Sequence, residues 1–366
     1  MPKNSFIYLF KKYWYLVIFS LVFSIPILYI TCKRTNYAII TKGDTTVFNS
    51  VLEIEDAYEQ KGSFSTIYVT TLEHSTVFQN YLAKHDPSFE TYKMSEAEIG
   101  YTPADSNRIG KMDYASSITR SIILAYTEAK KQNSNINIDY NFNGYYINYK
   151  LESSSLCIGD YIYGIKLKTD SEFTLYNDEN YKTKYNNSRS GDTYLMKKYS
   201  SIDGYDLVSE DDTFEYVLSD DDFYTKTVDD KTYLYRAYSY LEYYKIDNDT
   251  LKPSIKYNKV NVGGPSGGTL QALSIYNALV EEDITHGYKI AGTGTISIEG
   301  KVGGIGGIKE KVPTALDDNI KIFFCPSVNY DDALKSYNNL LNRSKMKLVK
   351  VDTFYDCINY LEGLSD

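Results

Sequence analysis

Gly263-Gly264-Pro265-Ser266-Gly267-Gly268 leads straight into an amphipathic helical pattern, Thr269 to Glu281. A second dense run follows, Gly303-Gly304-Ile305-Gly306-Gly307-Ile308-Lys309-Glu310-Lys311, preceded by Ala291-Gly292-Thr293-Gly294-Thr295-Ile296. Twelve of the 22 glycines fall between residues 261 and 310, which marks a segment where backbone takes positive φ or approaches something closely. A serine at a helix start is commonly just an N-cap. A cap needs no glycine on both sides, however, and the free N–H groups of a helix start favour developing negative charge. Ser266 therefore reads as a nucleophile, with the Gly264 and Gly267 amides as supporting oxyanion donors. A lysine can be its base once burial lowers the ammonium pKa.

Taken together these motifs resemble the proteolytic domain of the Lon family, which works through a Ser-Lys dyad. The resemblance covers roughly residues 258 to 364. It includes the segment His286-Gly287-Tyr288-Lys289-Ile290-Ala291-Gly292-Thr293-Gly294 and the strand Ile320 to Pro326 ahead of Asn329. The spacing of 43 positions from Ser266 singles out Lys309, rather than Lys311, as the catalytic lysine. Thr293 matches the family threonine near the lysine and is expected to help hold it. Gly263 and Gly267 depart from residues usual in the ATP-dependent members, and Pro313 is expected in the first helical turn after Lys309. A Ser-His-Asp arrangement is the alternative, with His286, the sole histidine of the region, and Asp283. No metal site and no cofactor are expected.

The anchor and the order of segments are similar to membrane-tethered, PDZ-containing Lon-like proteases of low-GC bacteria, which also share Glu282-Asp283-Ile284-Thr285-His286-Gly287. Residues Tyr13 to Thr31 carry no charge and would form a helix roughly 28 Å long, near the thickness of a hydrocarbon core. Lys11, Lys12, Lys33 and Arg34 bracket it, and Tyr13, Trp14 and Tyr15 suit an interfacial belt. No small-x-small site follows, so an uncleaved anchor is favoured over a signal peptide. Lys3, Lys11 and Lys12 slightly outweigh the basic residues on the far side, placing the bulk of the chain outside the cytoplasm. The sequence has no G-x-x-x-x-G-K-[ST] phosphate loop, Gly294 to Val302 having the wrong spacing, so ATP-independent action is expected.

Asn143-Gly144-Tyr145 entering a strand, and Leu156-Cys157-Ile158-Gly159-Asp160 beyond it, resemble parts of a PDZ domain, which captures extended peptide ends. In that reading residues 177 to 210 are a polar insertion and Phe214 to Leu218 is the groove helix. The segment either holds peptide or serves as a spacer. Its acidic triplet, Asp220 to Asp222, lacks calcium-loop spacing. Net charge of −9 without a basic tract argues against nucleic acid. Cys32, Cys157, Cys325 and Cys357 form no CxxC; buried free thiols are the simple reading, and a Cys325–Cys357 bridge stays open.

The expected architecture is thus an α+β Lon-type proteolytic domain behind a degenerate PDZ-like, β-rich domain and one transmembrane helix. Its boundaries are 1–34 (tip and anchor), 35–140 (a juxtamembrane α/β segment), 141–250 (PDZ-like) and 251–366 (protease). The expected function is membrane-anchored, ATP-independent cleavage of extracytoplasmic peptides or proteins, with homo-oligomers allowed and no nucleotide partner. The alternative is a catalytically silent, membrane-tethered peptide-binding module.

Overall fold

The computed structural model describes residues 4–86, 88–258 and 262–364. It comprises two compact units, residues 1–41 with 70–94, and residues 42–69 with 95–366. Helix α1 (Asn4–Cys32) belongs to the first. Its stretch Phe10–Cys32, with a mean hydropathy of 2.2, is long and apolar enough to cross a membrane. Strand β1 (Tyr37–Val47), β2 (Leu52–Ile54) and β3 (Ser63–Leu72) follow, then α2 (Val77–His85), β4 (Phe89–Lys93) and α3 (Glu96–Gly100). Within the first unit β4 pairs with Tyr37–Thr41 of β1, and a Thr76–Gln79 capping box starts α2. Strands β1 and β3 pass from one unit into the other.

In the second unit the long helix α4 (Pro103–Ala129) comes first, its start fixed by a Thr102–Asp105 capping box and Pro103. An antiparallel sheet then forms from β5 (Tyr140–Lys150), β6 (Tyr161–Lys166), β7 (Thr174–Leu175), β8 (Thr193–Asp203) and β9 (Asp206–Val217), with helix α5 (Tyr181–Asn187) between β7 and β8. A hairpin of β10 (Phe223–Val228) and β11 (Lys231–Arg236) leads to β12 (Tyr238–Ile246), which closes the strand order β12-β5-β6-β8-β9. The core of this sheet is largely tyrosine: Tyr145, Tyr181, Tyr185, Tyr194 and Tyr238 are buried.

Several expectations for this region fail. Gly144 lies inside β5, at φ +97°, where the register against β12 is irregular, so the glycine makes a bulge and not a carboxylate-binding loop. Phe214 to Leu218 is no groove helix, since β9 pairs with β8 through Val217. Residues 177–210 are no insertion, because they supply Tyr181, Tyr185 and Tyr194 to the core.

The chain then enters β13 (Ile255–Tyr257), α6 (Gly268–Leu279), β14 (Lys289–Gly292), β15 (Thr295–Ile296), β16 (Val302–Gly303), α7 (Ile308–Asp317), β17 (Ile322–Pro326), α8 (Tyr330–Asn338), β18 (Lys347–Val351) and α9 (Phe354–Glu362). Strands β18, β17 and β14 are parallel, and the neighbour of β14 is Ser63–Thr66 of β3. Along β17 alternate residues serve opposite faces. Ile322 and Phe324 pack with α4, α6 and α9, while Phe323 and Cys325 pack with α7 and α8. Helix α6 is buried along its whole length, not amphipathic, because the sheet covers one side and α4 the other.

The expected boundaries near 140 and 250 do not separate bodies: residues 42–69 and 95–366 form a single compact unit. Met112 and Ala115 of α4 pack against Tyr146, Tyr161, Leu207 and Tyr243 of the tyrosine sheet, while Ile118 and Ile122 belong to the core shared with α6 and α9. Cys325 and Cys357 are free, buried and on opposite faces of the parallel sheet, so they form no bridge.

Candidate active site

The turn before α6 is held by its carbonyls. Gly264 adopts φ +89°, a conformation that glycine takes without penalty, and donates its N–H to the Gly110 carbonyl of α4 at 2.7 Å. The Pro265 carbonyl accepts from Gly268 N–H (3.2 Å) and from the Ser117 hydroxyl of α4 (3.3 Å). The Ser266 carbonyl accepts from Gly294 N–H (2.7 Å) and from the Thr293 hydroxyl (3.0 Å). The nucleophile candidate thus sits on a backbone pinned at both flanking peptide groups.

Lys311 Nζ lies 2.8 Å from Ser266 Oγ and 3.2 Å from Thr293 Oγ1. Its residue is 2 % exposed, and desolvation pulls its pKa from 10.5 down to about 8. The structure therefore brings Lys311, and not Lys309, to Ser266. The reason is helical geometry. Residues two apart on a helix point to nearly opposite sides, so only one of the two lysines faces the core. Ile308, Val312 and Ala315 define the buried stripe of α7, and Lys311 falls on it while Lys309 is exposed.

Pro313 is also placed differently. Helix α7 starts at Ile308, so Pro313 lies in its second turn, inside the helix. Lacking an N–H, it leaves the Lys309 carbonyl without a helical donor. The Ser336 hydroxyl of α8 donates to that carbonyl instead, at 2.8 Å.

Thr293, expected beside Lys309, instead accepts from Lys311 and donates to the Ser266 carbonyl. Gly264 is corrected: its N–H is engaged by Gly110, so it is no oxyanion donor. The Ser266 and Gly267 N–H groups make no backbone hydrogen bond among the described residues, and they stand at the N-terminus of α6. The His286–Asp283 alternative is not assembled around the serine. The Asp283 carboxylate accepts from Thr285 N–H and hydroxyl, the Asn277 amide and Lys61 N–H. Those bonds hold its pKa low against the cost of burial, and it serves as the anchor of its own loop.

A cleft of about 550 Å³ opens beside Ser266, lined by Pro265, Thr295, Gly304, Ile305, Gly306, Val328 and Asn329. Asn329 clamps its glycine wall: Oδ1 accepts from Ile305 N–H and Nδ2 donates to the Ile305 carbonyl, both at 2.9 Å. Among the described residues no three His, Cys, Asp or Glu side chains come together as metal ligands.

The segment that carries these residues is similar to known proteins. Residues 253–361 match the Lon protease (S16) C-terminal proteolytic domain. The Lon protease of Mesomycoplasma hyopneumoniae is 29% identical over 118 residues, covering 32% of this chain and 13% of that protein. The Lon protease of Campylobacter jejuni is 35% identical over 97 residues, 26% of this chain and 12% of that protein. The chain thus spans about an eighth of the length of those relatives, and the residues that match the family model include Ser266, Thr293 and Lys311. Residues 253–361 of this chain are a Lon-type proteolytic domain.

Proposed function

We propose that the protein is a membrane-anchored serine endopeptidase in which Ser266 is the nucleophile and Lys311 its general base. The observation that carries this reading is the 2.8 Å contact between Ser266 Oγ and a lysine that is 2 % exposed. Neutral Lys311 accepts the Ser266 hydroxyl proton as Oγ attacks the peptide carbonyl. The Ser266 and Gly267 N–H groups then stabilise the oxyanion, aided by the α6 dipole. Lys311, now an ammonium, protonates the leaving amine, and water repeats the cycle on the acyl-enzyme. Thr293 accepts one Lys311 N–H and so keeps the amine aimed at the serine.

The apolar span Phe10–Cys32 supports a tether, and the basic residues before it support an extracytoplasmic peptidase. The lack of a phosphate-loop motif in the sequence supports ATP-independent action. The deciding test is hydrolysis of fluorescein-labelled casein by the full chain in detergent, with and without ATP, using Ser266→Ala, Lys311→Ala and Lys309→Ala. Loss of activity in the first two, retention in the third and indifference to ATP are expected. An active Lys311→Ala with a dead Lys309→Ala would overturn the assignment. Protease added to wall-stripped cells should digest residues 35–366; protection until lysis would invert the topology.

A further inference from the structure

The Pro265 carbonyl and the Ser266 N–H belong to one planar peptide group, as do the Ser266 carbonyl and the Gly267 N–H. In a trans peptide the C=O and N–H point in opposite directions, so whatever holds the carbonyl also aims the amide. The second group is held from within the Lon-type segment, by Gly294 N–H and the Thr293 hydroxyl. The first is held partly by a side chain from outside it, the Ser117 hydroxyl of α4, 3.3 Å from the Pro265 oxygen. Ser117 is 4 % exposed and stands among polar partners. The Ser117 hydroxyl also donates to Gln271 Oε1 at 3.2 Å, so its one proton is shared between that oxygen and the Pro265 carbonyl, and Ser121 donates to the neighbouring Gly268 carbonyl at 3.0 Å. Gly268 has no room for a Cβ, which would come to 2.7 Å from Ser117 Oγ. Together with the Gly110–Gly264 bond, three residues of α4 at spacings of seven and four positions grip the nucleophile turn along one helix face.

We propose that Ser117 is a positioning residue for the proposed peptidase site, acting through the Pro265–Ser266 peptide to aim the Ser266 N–H at the oxyanion. The proposal rests on the reading of Ser266 as nucleophile. A misaimed amide removes stabilisation that exists only in the tetrahedral state, so kcat falls and ground-state binding does not. Removing an oxyanion donor outright costs about 10²–10³ in kcat. Losing the hydroxyl that aims it, with Gly268 N–H still on the Pro265 oxygen, is expected to cost about tenfold.

The test uses the full chain in detergent, a quenched fluorogenic peptide and a peptide boronic acid that forms a tetrahedral adduct. Ser117→Ala should lower kcat about tenfold, with KM unchanged, and weaken the boronate by a similar factor. The pH midpoint set by the lysine should stay in place, and Ser117→Thr, which keeps the hydroxyl, should recover most of kcat. The proposal fails if Ser117→Ala retains wild-type kcat, if KM and kcat shift together, or if Ser117→Thr is as impaired as Ser117→Ala. Should Ser117→Ala not fold, Ser117→Thr alone decides, since its kcat and boronate affinity must then match wild type. Ser266→Ala separates the two readings: residual wild-type cleavage there removes the nucleophile itself, whereas a dead Ser266→Ala beside a normal Ser117→Ala removes only the role of Ser117.

Discussion

The tyrosine sheet and the Lon-type segment each bury an ionisable side chain, and they treat it in opposite ways. Asp222 is fully buried beside the tyrosine core, and it accepts from the Ser154 hydroxyl, the Tyr216 hydroxyl and both the N–H and hydroxyl of Ser219. Lys311 is buried almost as deeply with only two hydroxyl oxygens near its amine. A buried polar group surrounded by hydrogen-bond partners is a fixed structural part. A buried charge left short of partners is easily neutralised, and a neutral amine beside a hydroxyl is a base.

The largest expected effect tests that contrast. Ser266→Ala, Lys311→Ala and Lys311→Arg should each reduce kcat about 10³-fold or more, because nucleophile and base act as one unit and a guanidinium does not deprotonate. Lys309→Ala should stay near wild type, since that side chain is exposed. Casein hydrolysis by the purified full-length variants measures both.

Next in size is removal of residues 143–245. If the tyrosine sheet were a separable module, short peptides would still be cut. The shared helix α4 predicts otherwise, because deletion uncovers Met112 and Ala115, which the sheet now buries. The shortened chain should aggregate or lose cleavage of peptide and protein alike. Retained peptide cleavage would restore the picture of independent domains.

The acid–base behaviour should follow from burial. The base must be deprotonated, so kcat should rise with pH to half its plateau near 8, the value given by desolvation of Lys311, and lie about a hundredfold below plateau at pH 6. The same shift has a stability sign. Between pH 8 and 10.5 the unfolded chain holds more protons at this site than the folded one, so stability should climb with pH across that window. Below pH 8 the cost is fully present, about 3 kcal/mol by order of magnitude. Lys311→Met should therefore raise the thermal midpoint at pH 7 while abolishing cleavage.

The smallest effect concerns α7. Ser336→Ala leaves the Lys309 carbonyl without its hydroxyl donor and should cost about 1 kcal/mol in urea unfolding. Adding Pro313→Ala, which returns a helical N–H, should recover that loss.

Part of the Lon-type segment was legible because its apolar runs are local: α6 and β17 fall within a few residues of their sequence patterns. The fine structure of the site was less so. Lys311 announced itself only through its place on the Ile308–Val312–Ala315 stripe, a signal weaker to the eye than a spacing match. Gly144 looked like a loop because a bulge and a turn use glycine for the same reason. Ser117 and Gly110 carried no mark at all, and the alternation of Ser65 to Thr70 marks β3 as a strand without naming its partner β14. Their importance comes from partners far away in the chain, and no local pattern encodes a distant hydrogen bond.

Strand β3 has a consequence for how the protein is made. Ser63–Thr66 pairs with Lys289–Gly292, so most of the polypeptide is synthesised between the two halves of that ladder. Local elements such as α4 can form early, but this pairing must wait until the C-terminal third has emerged. In a chain assembled in that order the proposed site around Ser266 and Lys311 is completed late, because the parallel sheet beside it closes only when the last third of the chain arrives.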